Sequence, residues 1–173
     1  ISGLKGSSVH TLKIVVTTKS GSSLTGYVDL DAADIINGTP ELYSSHYYEE
    51  TSSYISHSTF STISNSGFSG GKAYRTASTG KYVKFYAKAQ NFAIYSKVSP
   101  KGGRFKVYVN GAYVTTVNLK STSTKYGTKV YTRNLNPSKK YAIKLVATTA
   151  SGSKSAGEVV LDRVLTYDGV LVK

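Results

Sequence analysis

The sequence contains no cysteine, no methionine and no tryptophan among its 173 residues, and only 3 prolines. The absence of cysteine excludes disulfide bonds and thiolate metal sites. No apolar run approaches the roughly 18 residues that a membrane-spanning helix needs, so the sequence predicts no membrane span. Hydrophobic residues make up 39% and aromatic residues 12% of the chain, which is enough for one sizeable core but cramped for two full domains.

Acidic residues are also scarce, with 9 Asp and Glu against 22 Lys and Arg, and the formal net charge is +13. A field of this sign favours polyanionic partners such as anionic cell-wall polymers, acidic glycans, nucleic acid or a membrane surface. Many of the cations, such as Lys84, Lys88, Arg104 and Lys106, alternate with apolar residues, as on the solvent face of a strand. Because no nucleic-acid-binding motif accompanies the charge, nucleic acid is the least favoured of these partners.

The strongest pattern in the chain is an internal repeat. The segment that begins at Leu4 aligns without a gap with the segment that begins at Leu135, an offset of about 131 positions, and Asp31 then matches Asp162. A repeat unit of this length indicates a tandem array of whole domains. We expect residues 1–37 to be the closing strand pair of a preceding copy, an orphan hairpin, and residues 38–173 to be one complete domain.

Apolar and polar residues alternate with a period of two along nearly the whole chain. No segment shows the apolar periodicity of an amphipathic helix. Many short strands separated by Gly, Ser and Asn predict an all-β fold, either a β-sandwich or a jelly roll. Asn110-Gly111 is the strongest local signal, because both central positions of a two-residue hairpin turn need positive φ. The strands predicted after the orphan hairpin cover residues 81–88, 92–97, 104–109, 113–119, 129–134, 141–149 and 157–167.

Tyrosine is the most prominent residue type suited to ligand binding, with 15 copies in the chain. Its ring offers an apolar face to a sugar and its hydroxyl forms hydrogen bonds, so tyrosines in or beside loops, near basic residues, predict an aromatic, basic groove. The Ser- and Tyr-rich window 41–71 has the weak periodicity of functional loops or short irregular strands. Tyrosines inside strands are interpreted as cross-strand packing pairs. The candidate ligand-binding residues are Tyr43, Tyr47, Tyr48, Arg75, Tyr95, Lys97, Tyr126 and Tyr131.

The acidic residues and histidines do not form a recognisable catalytic pattern. A glycosidase needs two carboxyl groups across a cleft, whereas the adjacent Glu49 and Glu50 point to opposite faces of an extended segment. No G-x-S-x-G motif lies in a strand–turn–helix context. His46 and His57 are about eleven residues apart, which is not a metal-ligand spacing. We therefore predict a protein that is not an enzyme and has no catalytic residues.

Seven short motifs occur one after another along residues 41–167. In this order they resemble the galactose-binding-like jelly-roll superfamily, whose members occur as non-catalytic carbohydrate-binding modules in bacterial secreted and cell-surface proteins. Such modules commonly end their ligand-facing loops with tryptophan, which this chain lacks. The motifs are Tyr48–Glu50, Ser69–Arg75, Gly80–Tyr86, Gly102–Gly111, Val117–Leu119, Lys140–Leu145 and Val160–Val164.

The resemblance implies a jelly-roll fold, a carbohydrate ligand and an extracellular or cell-surface location. It also implies a structural calcium ion, because related domains often hold one between an acidic motif near their N-terminus and their final strand, through carboxylate and backbone oxygens. Glu49, Glu50 and Asp162 are the candidate calcium ligands. No cofactor is required for the expected function.

Two functions follow from these observations. In the first, the domain attaches a larger extracellular protein to a polysaccharide or an anionic cell-wall polymer. In the second, it is a structural or adhesive repeat of a surface stalk or fibre. Two strands alone are marginally stable in water, so residues 1–36 would then complete a neighbouring subunit, and the chain would self-associate by strand addition.

Overall fold

The computed structural model describes residues 44–149 and 157–173, all of which belong to one unit, Tyr43–Lys173. The orphan hairpin predicted over residues 1–37 and the candidate ligand residue Tyr43 lie outside the described residues. The predicted domain boundary, tandem repeat and strand addition therefore stay predictions.

The described residues form strands joined by turns and loops, with one short 3-10 turn at Ser69–Gly71. None of them forms a helix long and apolar enough to cross a membrane. The prediction of an all-β fold is confirmed. The strands are β1 Ser45–Glu49, β2 Ser56–His57, β3 Ser61–Ser64, β4 Lys72–Thr76, β5 Tyr82–Val98, β6 Arg104–Val109, β7 Ala112–Asn118, β8 Lys125–Asn134, β9 Tyr141–Thr148, β10 Val159–Leu161 and β11 Arg163–Val172.

These strands form a β-sandwich. The larger sheet has the order β1-β11-β5-β9-β6-β7, with β2 and β8 also paired to β5, and the smaller sheet has the order β10-β4-β3. All the pairings between named strands are antiparallel. The sheets enclose a core whose largest buried side chains include Phe85, Phe92, Phe105 and Ile143. Burial of each such side chain contributes roughly 1.5–3 kcal/mol, so this core is the main source of stability.

Strand β5 organises the larger sheet. It is one strand of 17 residues, whereas the sequence predicts two separate strands over residues 81–88 and 92–97. Its first part, Tyr82–Ala87, pairs with β9, and its second part pairs with β8. Odd-numbered positions are buried as far as Ala89, and even-numbered positions are buried from Phe92 onward. The side chains that point outward are therefore the even-numbered ones up to Gln90 and the odd-numbered ones from Asn91. This break in alternation is why the sequence predicts two strands.

The predicted final strand over residues 157–167 is divided in the structure. Asp162 separates β10, which pairs with β4, from β11, which pairs with β1 and β5. The chain thus passes from one sheet to the other at a fully buried aspartate. All three residues of β10 are buried: Val159 and Leu161 pack in the main core, and Val160 packs in a second cluster with Phe68 and Ala73.

Other local predictions are confirmed. Strand β6 has the predicted bounds, and the hairpin turn between β6 and β7 has φ of 50° at Asn110 and 83° at Gly111. Window 41–71 contains the short, mostly exposed strands β1, β2 and β3. Of the two predictions for this window, functional loops or short irregular strands, the second is confirmed for these residues.

Candidate functional site

A groove of about 410 Å³ lies on the outer surface of the larger sheet, where β5 changes its pairing partner. Strand pairing sets its floor, because Asn91 of β5 lies opposite Asn134 of β8 and opposite Tyr167 of β11. We call this site the sheet groove. It is lined by Gln90, Asn91, Lys129, Thr132, Asn134, Leu135 and Tyr167.

Hydrogen bonds hold the polar side chains of the sheet groove in place. The Asn91 amide Nδ2 donates to Asn134 Oδ1 at 2.6 Å, and the Thr132 hydroxyl donates to Asn91 Oδ1 at 2.9 Å. The backbone N–H of Leu135 donates to the Gln90 carbonyl at 2.7 Å and closes one end. These bonds fix two amides and a hydroxyl before any ligand arrives, which reduces the entropy that binding would cost.

A cluster of aromatic rings around one guanidinium group adjoins the sheet groove. Arg163 lies opposite Tyr95 in the strand pairing, with its guanidinium carbon 4.4 Å from the centroid of the Tyr95 ring and 5.9 Å from that of Tyr47. Burial raises the pKa of Tyr95, and the neighbouring Tyr167 raises it further. Tyr167 therefore belongs both to the groove wall and to this cluster of Tyr47, Tyr95, Arg163 and Tyr167, which we call the tyrosine–arginine cluster.

The structure places two of the predicted ligand residues, Tyr47 and Tyr95, in the tyrosine–arginine cluster. Tyr47 is 63% exposed. Three other predicted tyrosines pack against the protein. Tyr48 packs against the core and accepts a hydrogen bond from the Leu171 N–H at 3.0 Å. The ring of Tyr131 lies 5.8 Å from that of Phe92, and the ring of Tyr126 lies 5.0 Å from that of Phe68.

The two predicted basic ligand residues form ion pairs with the same carboxylate. Arg75 Nε donates to Glu158 Oε1 at 2.8 Å, and Lys97 Nζ pairs with Glu158 Oε2. Burial opposes ionisation of Glu158, but the hydrogen bonds and charges of Lys97 and Arg75 outweigh it and lower the pKa of Glu158. The structure therefore holds Arg75 and Lys97 at Glu158, just before β10, and neither of them lines the sheet groove.

Sequence reasoning missed the residues that line the sheet groove. Asn91 on β5 and Thr132 and Asn134 on β8 are ordinary polar positions, and only the pairing of these two strands brings them together. The one local signal is the break in alternation near Asn91, which marks where the outward face of β5 changes.

The candidate calcium ligands lie where the chain passes between the sheets. Asp162 Oδ1 accepts a hydrogen bond from the Ser69 N–H at 2.9 Å, and Glu49 Oε1 accepts one from the Ser69 hydroxyl at 2.6 Å. Glu50 is buried, and burial raises its pKa, with the charges of Glu49 and Asp162 adding to the effect. Burial likewise raises the pKa of Asp162. Three carboxyl groups thus interact electrostatically in a partly dehydrated region.

The donor atoms present fit a calcium ion only together with backbone oxygens. Glu49 Oε2 is buried without a hydrogen-bond partner, which is the environment of an oxygen that a cation would satisfy. Asp162 Oδ2 already receives the Arg163 guanidinium at 3.0 Å. In residues 44–149 and 157–173, no group of three or more His, Asp or Glu side chains is arranged to hold a metal ion. Calcium would therefore need carbonyl ligands beside Glu49.

Comparisons with known proteins identify the fold. No family model matches the chain, and no curated protein sequence matches it significantly. Among solved structures, CBM35 from Cellvibrio japonicus Abf62 has a TM-score of 0.52 at 18% identity, over 75% of this chain and 96% of that chain. A cycloisomaltooligosaccharide glucanotransferase from Paenibacillus sp., complexed with cycloisomaltoheptaose, has a TM-score of 0.53 at 20% identity, over 70% of this chain and 18% of that chain.

A third similar structure, a family two carbohydrate esterase from Cellvibrio japonicus, has a TM-score of 0.51 at 10% identity, over 76% of this chain. This chain spans about a third of the esterase, 36% of its length. At these identities the similarity establishes a shared fold, a β-sandwich of the kind found in carbohydrate-binding modules, and the predicted fold class is confirmed.

Proposed function

We propose that this domain is a non-catalytic carbohydrate-binding module that attaches a larger extracellular protein to a glycan or an anionic cell-wall polymer. The observation that carries the proposal is the sheet groove, in which amides, a hydroxyl, an ammonium group and a tyrosine are held together on the outer face of the sandwich. A fold shared with CBM35 adds support.

The chemistry of the sheet groove suits sugar hydroxyl groups. Asn91, Asn134 and Thr132 offer both donors and acceptors, and the phenol of Tyr167 combines an apolar ring with a polar tip. A sugar bears many hydroxyls of both donor and acceptor character, so fixed amides can bind it without a charged partner. The Lys129 ammonium adds attraction for an acidic substituent on the glycan.

The groove supports binding rather than hydrolysis. Glycoside hydrolysis uses a pair of carboxyl groups that flank the scissile bond. None of the residues that line the sheet groove is an aspartate, a glutamate or a histidine. The proposal therefore assigns no catalytic step to this domain.

A structural calcium ion forms part of the proposal. The support for it is the buried, unpaired Glu49 Oε2 and the dehydrated carboxyl groups of Glu50 and Asp162 beside it. When bound, the cation would neutralise these carboxylates and tie the end of β1 to the passage between β10 and β11. It would act on stability and not as a participant in chemistry.

Retention on a panel of insoluble polysaccharides, including cellulose, xylan, chitin and peptidoglycan, tests the binding function. We expect retention on at least one polymer, and a loss of about tenfold or more in affinity for Asn134→Ala and for Lys129→Ala. Lys125→Ala is the matched control, because Lys125 is exposed on the same strand but does not line the groove. Absence of retention on every polymer, or equal losses in the control, would overturn the proposal.

A further inference from the structure

A second outward surface of the larger sheet is strongly basic. It spans Tyr82–Ala87 of β5 and the strands β9, β6 and β7. Its cations are Lys84, Arg104, Lys106 and Lys144, together with Lys140 just before β9. We call it the basic face. It shares no residue with the sheet groove, which begins further along β5 at Gln90.

Strand pairing brings these cations close together. Lys84 of β5 lies directly opposite Lys144 of β9, and Arg104 and Lys106 follow on β6, the next strand. Neighbouring strands are about 4.8 Å apart, so their ammonium groups lie in one continuous patch. Like charges placed directly opposite each other destabilise a sheet. Folding alone therefore does not favour the Lys84–Lys144 pair.

The strands that form and flank this patch supply no carboxylate to neutralise it. The strands β2, β5, β6, β7 and β9 contain no aspartate and no glutamate. The ion pairs found among the described residues use Arg75, Lys97 and Arg163, none of which belongs to the basic face. Lys140 Nζ donates to the backbone oxygen of Lys173, whereas the positive charge of Lys84, Arg104, Lys106 and Lys144 is available to an anion from outside the sheet.

Tyrosine rings hold several of the ammonium groups in fixed positions. Lys144 Nζ lies 4.5 Å from the centroid of the Tyr82 ring, while Lys84 Nζ and Lys140 Nζ lie 4.7 Å and 4.5 Å from that of Tyr86. The hydrogen bond and charge of Lys84 lower the pKa of the Tyr86 phenol. Two lysines lie over the Tyr86 ring and one over the Tyr82 ring, which disfavours stacking of nucleotide bases on these two rings, the mode by which sheet surfaces bind single-stranded nucleic acid. Tyr113 of β7 stays exposed.

We infer that the basic face binds a linear polymer whose repeating units are sugars or polyols joined by phosphodiesters. Lysine binds phosphate as a compact point charge and arginine binds it through bidentate hydrogen bonds, so the four lysines and one arginine of this face suit a phosphate in every repeating unit. A flat row of ammonium groups matches a chain that carries one anion in every unit. This inference deepens the part of the proposed function that concerns anionic cell-wall polymers and rests on it.

Binding of soluble poly(glycerol phosphate) to the whole chain, measured by calorimetry at several salt concentrations, tests the inference. We expect binding that weakens steeply with salt, and a loss of about tenfold or more in Lys84→Ala/Lys106→Ala/Lys144→Ala. The matched control is Lys120→Ala/Lys125→Ala/Lys139→Ala, which removes the same charge from exposed positions outside the basic face and should lose much less. A set with glutamine in place of alanine keeps side-chain bulk if the alanine set unfolds.

Further arms of the experiment identify the polymer. Asn134→Ala, which alters only the sheet groove, should bind poly(glycerol phosphate) normally, so failure of the groove proposal and failure of this inference are distinguishable. Tighter binding to poly(dT) would overturn the inference in favour of nucleic acid. Tighter binding to polygalacturonate, or equal losses in the two lysine sets, would also overturn it.

Discussion

Glu158 shows how a buried contact determines the role of a charged side chain. Arg75 and Lys97 have the residue types of a glycan-binding groove, but both form ion pairs with this carboxylate, whose side chain is 14% exposed. At the same scale, the structure turns Tyr48 and Tyr131 toward the core, while Tyr47 stays exposed. Residue type alone cannot distinguish these outcomes, because the partner of each side chain lies far away in the sequence.

At the residue scale we predict a pH-dependent contribution of Glu158 to stability. Its pKa is lowered in the folded protein, so its contribution is fully present above the unfolded value of about 4.3 and is lost as the pH falls through the folded pKa. Glu158→Gln should therefore lower the free energy of unfolding by roughly 1–3 kcal/mol at pH 7. Urea unfolding of both proteins at pH 7 and pH 3 measures this. A difference that is as large at pH 3 would contradict the assignment.

At the scale of elements, local signals predict much of the fold. Asn110-Gly111 sets the hairpin between β6 and β7, and alternation gives β6 its bounds. The bounds of the short strands in window 41–71 could not be predicted, because these strands are mostly exposed and carry few apolar residues. The sheet groove could not be predicted either, since Asn91, Thr132 and Tyr167 meet only through the pairing of three strands that are distant in sequence.

The link between β1 and the passage from β10 to β11 gives an element-scale prediction. If calcium binds beside Glu49, millimolar calcium should raise the melting temperature by several degrees relative to EGTA, because a ligand of the folded state stabilises it by mass action. Glu49→Gln should remove this difference. Magnesium is the control ion, since it demands a more rigid octahedral site. Identical melting curves in calcium and EGTA would refute the calcium proposal.

At the scale of the whole molecule, the outer surface of one strand carries two chemically different regions. The outward side chains of the first part of β5 are lysines and tyrosines of the basic face. Beyond Gln90, where the alternation of buried and outward positions shifts by one residue, Asn91 lies at the sheet groove and Tyr95 in the tyrosine–arginine cluster. One curved sheet can thus present neutral polar groups to sugar hydroxyls and ammonium groups to anions. This arrangement fits the proposed role of a module that binds a surface of mixed composition, such as a cell wall.

The most direct test of the binding function is an NMR titration of the ¹⁵N-labelled protein with an oligosaccharide from the polysaccharide that retains it best. We expect little change along β6 and β7, and the largest amide shift changes at Asn91, Thr132, Asn134 and Tyr167. Shift changes that map elsewhere and leave these four amides unaffected would contradict the sheet groove as the carbohydrate site.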